Sequence, residues 1–165
     1  MARKPAKRGS YRRKTARQKL GAVHASHGVV FSIPKEMRRM LGPDAATMVV
    51  PRPLDVDAAM RSVRRGTLLT MTRLRAKLAA AAGADVACPL TTGIFARLAA
   101  EAAEEDRAAG KSRITPWWRT VKDGGTLNDR FPGGVKGQAA KLRAEAFRIE
   151  RGRSATSLRV GDFDR

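Results

Sequence analysis

Few side chains in this sequence could carry covalent chemistry, and their neighbours limit what each can do. Cys88 is the one thiol, and a cysteine becomes a strong nucleophile when a base or a positive charge lowers its pKa. It stands between Ala87 and Pro89 with no histidine beside it, so a small buried side chain is expected. His24 and His27 are three apart in a glycine-containing stretch and, with a single cysteine, fall short of a recurring zinc donor set; they are expected to be ordinary exposed side chains. Asp55 and Asp57 are two apart, so on a helix they point in different directions. Glu104, Glu105 and Asp106 read as a solvated helical face balancing Lys111 and Arg113. Trp117 and Trp118 precede Arg119 in a chain with only 5% aromatics, which singles the pair out. An indole offers an N–H donor and no nucleophilic lone pair like that of a thiolate, so packing or binding is the chemistry open to it. No catalytic residue, metal ligand or cofactor is expected.

The partner class follows from charge. With 34 Lys and Arg against 15 Asp and Glu, the net charge of +19 makes nucleic acid the leading partner, ahead of an acidic membrane surface. Residues 1–20 hold nine basic side chains and no acidic one, which suggests a disordered arm that orders on a polyanion, or a solubilising tail. The remainder, in a chain that is 42% hydrophobic, should fold. At 165 residues the chain has room for one domain and its extensions. No segment approaches the roughly 20 apolar residues of a membrane span, so membrane association is not expected. The basic start is not followed by an apolar export segment, and a cytoplasmic monomer is expected, nucleoid-associated in a bacterium.

The elements that must position these residues fall into two blocks after the arm. Within residues 21–53, Val29-Val-Phe-Ser-Ile33 reads as a strand, Pro34 opens a helical turn through Met40, Gly42-Pro43 stops it, and Thr47-Met-Val-Val50 is a second strand. Ile33-Pro34-Lys35-Glu36 with Arg38, Arg39, Leu41 and Gly42 is similar to the swapped-hairpin DNA-binding domains of the AbrB type. The alternative is a small subdomain packed on the main body. Residues 54–165 begin with an amphipathic helix over 54–63 bearing Val56, Met60 and Val63. A second helix, capped by Thr70 or Thr72, runs to Ala82 with Leu74 and Leu78 inward. A third is expected from Thr91 or Thr92 to Ala109 with Ile94, Phe95, Leu98 and Ala102 inward. This order suits a helix-turn-helix whose second helix enters the major groove. Lys122-Asp-Gly-Gly-Thr126 reads as a tight turn between strands, 135–147 as a helix, and Ser157-Leu-Arg-Val-Gly161 as a last strand. The expected fold is mainly α with a small β wing: a winged helix-turn-helix domain preceded by a small α+β extension.

Pro116-Trp117-Trp118-Arg119-Thr120-Val121, followed by Gly124-Gly125-Thr126-Leu127, Phe131-Pro132-Gly133-Gly134 and Lys141-Leu142-Arg143-Ala144-Glu145, resembles the DNA-binding domain of the alkylguanine-DNA alkyltransferases. It is nearer still to their non-enzymatic relatives, the alkyltransferase-like proteins. The resemblance spans residues 54–162, with Gly66-Thr67-Leu68-Leu69-Thr70 resembling the approach to the first helix of the pair. It implies Trp117 at the position of the family's acceptor cysteine and Trp118 at that of its histidine, hence no alkyl transfer. It also implies double-stranded DNA, alkylated or not, as ligand, recognition of a flipped alkylguanine base, and a repair-protein partner. The implied contact residues are Trp117, Trp118, Arg119, Thr91, Thr92, Gly93, Arg97, Gly133 and Gly134. Of the two indoles, Trp117 is read as a pocket wall and Trp118 as core packing. The family's arginine near the start of the recognition helix and the tyrosine before the first helix are absent here. That departure leaves open a regulatory or architectural DNA-binding protein without lesion specificity.

Overall fold

The computed structural model describes residues 13–163. Among them the chain runs α1 (Ala16–Leu20), β1 (Val30–Ser32), α2 (Lys35–Leu41), β2 (Thr47–Val49), α3 (Pro53–Arg61), β3 (Leu69–Thr70), α4 (Met71–Ala82), β4 (Val86–Ala87), α5 (Pro89–Ala108), β5 (Thr120–Val121), α6 (Gly134–Ala144), β6 (Ile149–Arg151) and β7 (Leu158–Val160). The result is a mixed α and β fold of six helices with small, mostly open sheets in the orders β1-β2-β4, β3-β5 and β6-β7.

Helix α1 departs from the expected disordered arm. The Thr15 hydroxyl accepts from the Gln18 amide while the Gln18 side chain accepts from the Thr15 amide, a capping box that closes the first turn. The Glu105 carboxylate then takes the amide hydrogens of Ala16 at 2.7 Å and Arg17 at 2.9 Å. Arg17 donates to Asp106, and Leu20 is fully buried. Counting charge alone overlooked two things: Ala16 and Leu20 give this short stretch an apolar face, and α5 presents carboxylates to its orphan amides. Residues 1–12 of the expected arm lie outside the described residues.

The strand-helix-strand order of residues 21–53 is present and joins the main body through its second strand. β2 pairs antiparallel with β1 and parallel with β4, in the register Met48 to Val86 and Val49 to Ala87. Asp85 fastens the junction by accepting from the amides of Ala46 and Thr47 and the Thr47 hydroxyl at 2.8–3.0 Å. The linker between α4 and α5 is therefore a strand in a sheet, where the bare turn of a helix-turn-helix was expected.

Alanine shapes the centre. On α5 the buried positions are Thr92, Ala96, Ala99, Ala100, Ala102, Ala103 and Asp106, while α1 and α3 pack against this helix. Small side chains let these backbones approach closely, so the long apolar residues do not choose the inward face. Ile94, expected inside, is 52% exposed.

The expected wing is also rearranged. Residues 123–125 form a 3-10 turn across which the Lys122 amide donates to the Thr126 carbonyl at 2.8 Å, but β5 before it pairs in parallel with β3, so no strand pair extends from Gly124-Gly125. The antiparallel ribbon lies later, between β6 and β7. Helix α6 stops at Ala144, three residues short of the expected end at 147, and Ala146 takes a φ of 69° beyond it. Gln138 does the unforeseen work on α6. Fully buried, it donates to the carbonyls of Trp118 at 3.0 Å and Thr120 at 2.8 Å and accepts from the Asn128 amide at 2.6 Å, tying the segment 118–128 to the helix.

Candidate nucleic-acid interface

The residues singled out by sequence separate into two places. Trp117, Trp118, Arg119 and Gly133 gather where the segment 117–119 meets α6, with Trp117 directed at the second half of α5. Thr91, Gly93 and Arg97 lie on its first half. Gly93 and Glu104, the α5 residue that Trp117 touches, are eleven positions apart, or ~16 Å along a helix.

The first place is a packed polar core. Trp117 is 1% exposed, stands edge-on to Phe131 at 5.8 Å between ring centres, and donates its indole N–H to Glu104 at 3.0 Å. Trp118 is half-buried between the two larger apolar clusters and donates to Glu145 at 2.9 Å. Arg119 places two guanidinium N–H groups on Glu145 at 2.7 and 2.9 Å and a third on the Val63 carbonyl at 2.6 Å. Its side chain is 13% exposed and that of Glu145 9%, so this guanidinium is occupied inside the protein rather than offered to a phosphate. Gly133 and Gly134 take φ of 72° and 61°, the left-handed turn that opens α6; a Cβ on Gly133 would come within 3.1 Å of the Gly137 Cα. A cleft of about 510 Å³ runs beside Trp117 past Gly133, Gly137 and Lys141.

Glu104, Glu105 and Asp106 of α5 are engaged by neighbouring elements rather than left as the expected solvated face, although the expected balance with Lys111 is present at Asp106. Glu104 holds Trp117, Glu105 caps α1, and Asp106, 7% exposed, accepts from Arg17 and from Lys111 at 2.8 Å. Burial pushes the Glu104 and Glu145 carboxyls up, but hydrogen bonds from Arg107 and Trp117 to the first, and from Arg119 and Trp118 to the second, hold both below their ordinary value. Asp106 is lowered first by its bond from Lys111, working against burial, and then by Arg17. Groups depressed in the folded state stabilise it fully above the ordinary carboxylate pKa of about 4, and that stability is lost as pH falls through the depressed values. The urea midpoint should stay level from pH 7 to about 5 and drop steeply below about 4; an acid-insensitive midpoint would contradict this network.

The second place is an open groove of about 720 Å³ along the first half of α5. Leu90, Ile94, Arg97 and Glu101 recur at helical spacing on its floor, with Leu90 71% and Ile94 52% exposed. Met71, Lys122, Asn128, Arg130 and Lys19 form the walls. Arg97 pairs with Glu101 at 2.7 Å and Lys122 with Asp129 at 2.6 Å, both near the surface. Gly93 and Arg97 line this groove. Thr91 is half-buried, with its hydroxyl 3.4 Å from the Cys88 carbonyl, and Thr92 is fully buried, so Thr92 presents no surface to a phosphate. Lys19, Met71, Leu90, Ile94, Lys122, Asn128 and Arg130 were missed from sequence. The signal was present on α5: with Ala96, Ala99 and Ala103 taken as the core face, 90, 94, 97 and 101 fall on the opposite one.

Cys88 precedes α5 and packs against the small cluster of Ile33, Ala45 and Met48. Among the described residues, no group of three or more His, Cys, Asp or Glu side chains is arranged to hold a metal, and no helix is long and apolar enough to cross a membrane. No protein-family model, curated protein or solved structure matches the chain.

Proposed function

We propose that this chain is a non-enzymatic DNA-binding protein that lays the first half of α5 in the major groove of a duplex, with α4 and α5 acting as a helix-turn-helix pair. The observation that carries this reading is the exposed stripe of Leu90, Ile94 and Arg97 in a groove walled by Lys19, Lys122 and Arg130. Apolar side chains suit thymine methyl groups, arginine suits base edges or phosphate, and flanking cations suit the two backbones. The N-terminus of α5 has no side-chain cap, which favours an approaching phosphate. A net charge of +19 supplies long-range attraction. The likeness of residues 116–145 to the alkyltransferase-like proteins supports a DNA-binding scaffold without alkyl transfer.

A second reading, recognition of alkylated guanine for a repair partner, is favoured by the cleft beside Trp117. It is the weaker of the two because Trp117 is enclosed and its N–H already engaged. The deciding experiment is equilibrium binding to one duplex with and without an alkylguanine, followed by intact mass measurement of the protein. Equal affinities and an unmodified mass are expected. A tenfold preference for the lesion would move the function to the second reading, and a stoichiometric adduct on Cys88 would overturn the non-enzymatic assignment.

A further inference from the structure

A second recess, of about 340 Å³, lies on the α1 flank of the α5 stripe. Lys14, Lys19, His24, Ser26 and His27 line it together with Phe95 and Leu98 of α5. Lys19 and Leu98 also line the larger groove, so the two depressions share a wall. Their chemistry differs. The groove includes Glu101 and Asp129, whereas the ionisable groups lining the recess are two lysines and two imidazoles with no carboxylate. The imidazoles stand 4.9 Å apart between ring centres, His27 rests edge-on against Phe95 at 5.1 Å, and the His27 Nδ1 is shut off from solvent with no hydrogen-bond partner. Ser26 adds a hydroxyl to the same wall.

We infer that this recess is a phosphate-binding site for one backbone strand of the duplex whose major groove receives α5. The inference rests on the proposed DNA-binding function and extends its footprint. Helical periodicity places Phe95 and Leu98 on one flank of the Leu90, Ile94 and Arg97 stripe and Gly93 on the other. Phe95 and Leu98 line the recess, which places it on the first flank, while Trp117, which leads into the segment carrying Lys122 and Arg130, bonds to Glu104 on the second. A helix seated in a major groove has a phosphate backbone on each side, so cations on both flanks match the two strands. A backbone phosphodiester, which carries one negative charge, here accepts from Lys14 and Lys19 ammonium groups, the Ser26 hydroxyl and an imidazole N–H, all donors without a competing acid in the lining.

The test uses the full chain and a plain duplex, with affinity measured over a range of salt concentrations for the parent and for a Lys14→Gln/His24→Asn variant. Both replaced residues line the recess and not the α5 groove. Loss of one phosphate contact should make the slope of log affinity against log salt shallower by about 0.9, with an affinity loss of about tenfold or less at fixed salt. In parallel, addition of the duplex to the parent should shift the ring resonances of His24 and His27. A folded variant that keeps the full salt slope, with histidine resonances unmoved in the parent complex, would overturn the recess while leaving α5 binding intact. Failure of the parent to bind any duplex would overturn the reading on which the recess depends.

Discussion

An Arg119→Ala variant is expected to lose about 3–5 kcal/mol of unfolding free energy, a large share of the roughly 5–15 kcal/mol that holds a typical domain folded. The reason is the state of what remains. Glu145, with its side chain 9% exposed, would keep the Trp118 indole as a donor but lose the paired guanidinium bonds, and the Val63 carbonyl would lose its 2.6 Å partner. An unpaired charge in the interior costs far more than the intact pair contributes, so the single deletion is worse than replacing both partners by apolar groups. Arg119→Lys should recover part of the loss at most, since an ammonium cannot span Glu145 and the Val63 carbonyl with the guanidinium's planar fork. Chemical denaturation of the three proteins checks the order. A fully stable Arg119→Ala would mean that this guanidinium is not the brace described.

Trp117→Ala should cost a similar ~3–5 kcal/mol by leaving a large cavity against Phe131 and releasing the donor to Glu104. Trp117→Phe should be milder, because it keeps apolar volume and loses chiefly the N–H. Had Trp117 been an exposed pocket wall, its removal would leave the thermal transition in place and alter binding alone. At 1% exposure the expected result is the reverse: the transition falls, and duplex affinity measured below that transition changes little. A Trp117→Ala protein with the parent's thermal transition would return this residue to the pocket.

These two residues illustrate what was legible in the sequence. The motif around Pro116 marks a place where side chains are specified closely, but a motif does not say whether the specification serves a ligand or the core. Glu104 and Glu145 occupy side-chain donors of Trp117, Trp118 and Arg119 from within the fold, and neither pairing follows from local spacing. Strand-helix-strand order in residues 21–53 and the helices α3 and α4 were readable because glycine, proline and threonine punctuate them and their leucine, valine and methionine positions follow one period. The inward face of α5 was legible only in part: Ala102 is buried and Phe95 and Leu98 pack partly buried against the core as expected, but most of the buried positions are alanine, which carries little hydrophobic signal of its own, and Ile94 remains outside. The pairing of β3 with β5 joins residues 51 apart in parallel, so the tight turn at Gly124-Gly125 is present without the strand pair expected on either side of it. The α1 helix was hidden by charge, since its partners are acidic residues 88 and 89 positions away.

The proposed function places the exposed stripe of α5 against duplex DNA. Its most direct measurement is the salt-dependent affinity of an Ile94→Ala/Arg97→Ala protein for a plain duplex, compared with the parent. Both side chains are surface groups on a helix in which alanine is favourable, so the fold should be retained, as a matching thermal transition would verify. The account predicts an affinity loss of about tenfold or more, with the salt slope shallower by about 0.9 if Arg97 meets a phosphate and unchanged if it meets a base edge. A folded double variant that binds the duplex as tightly as the parent would contradict it.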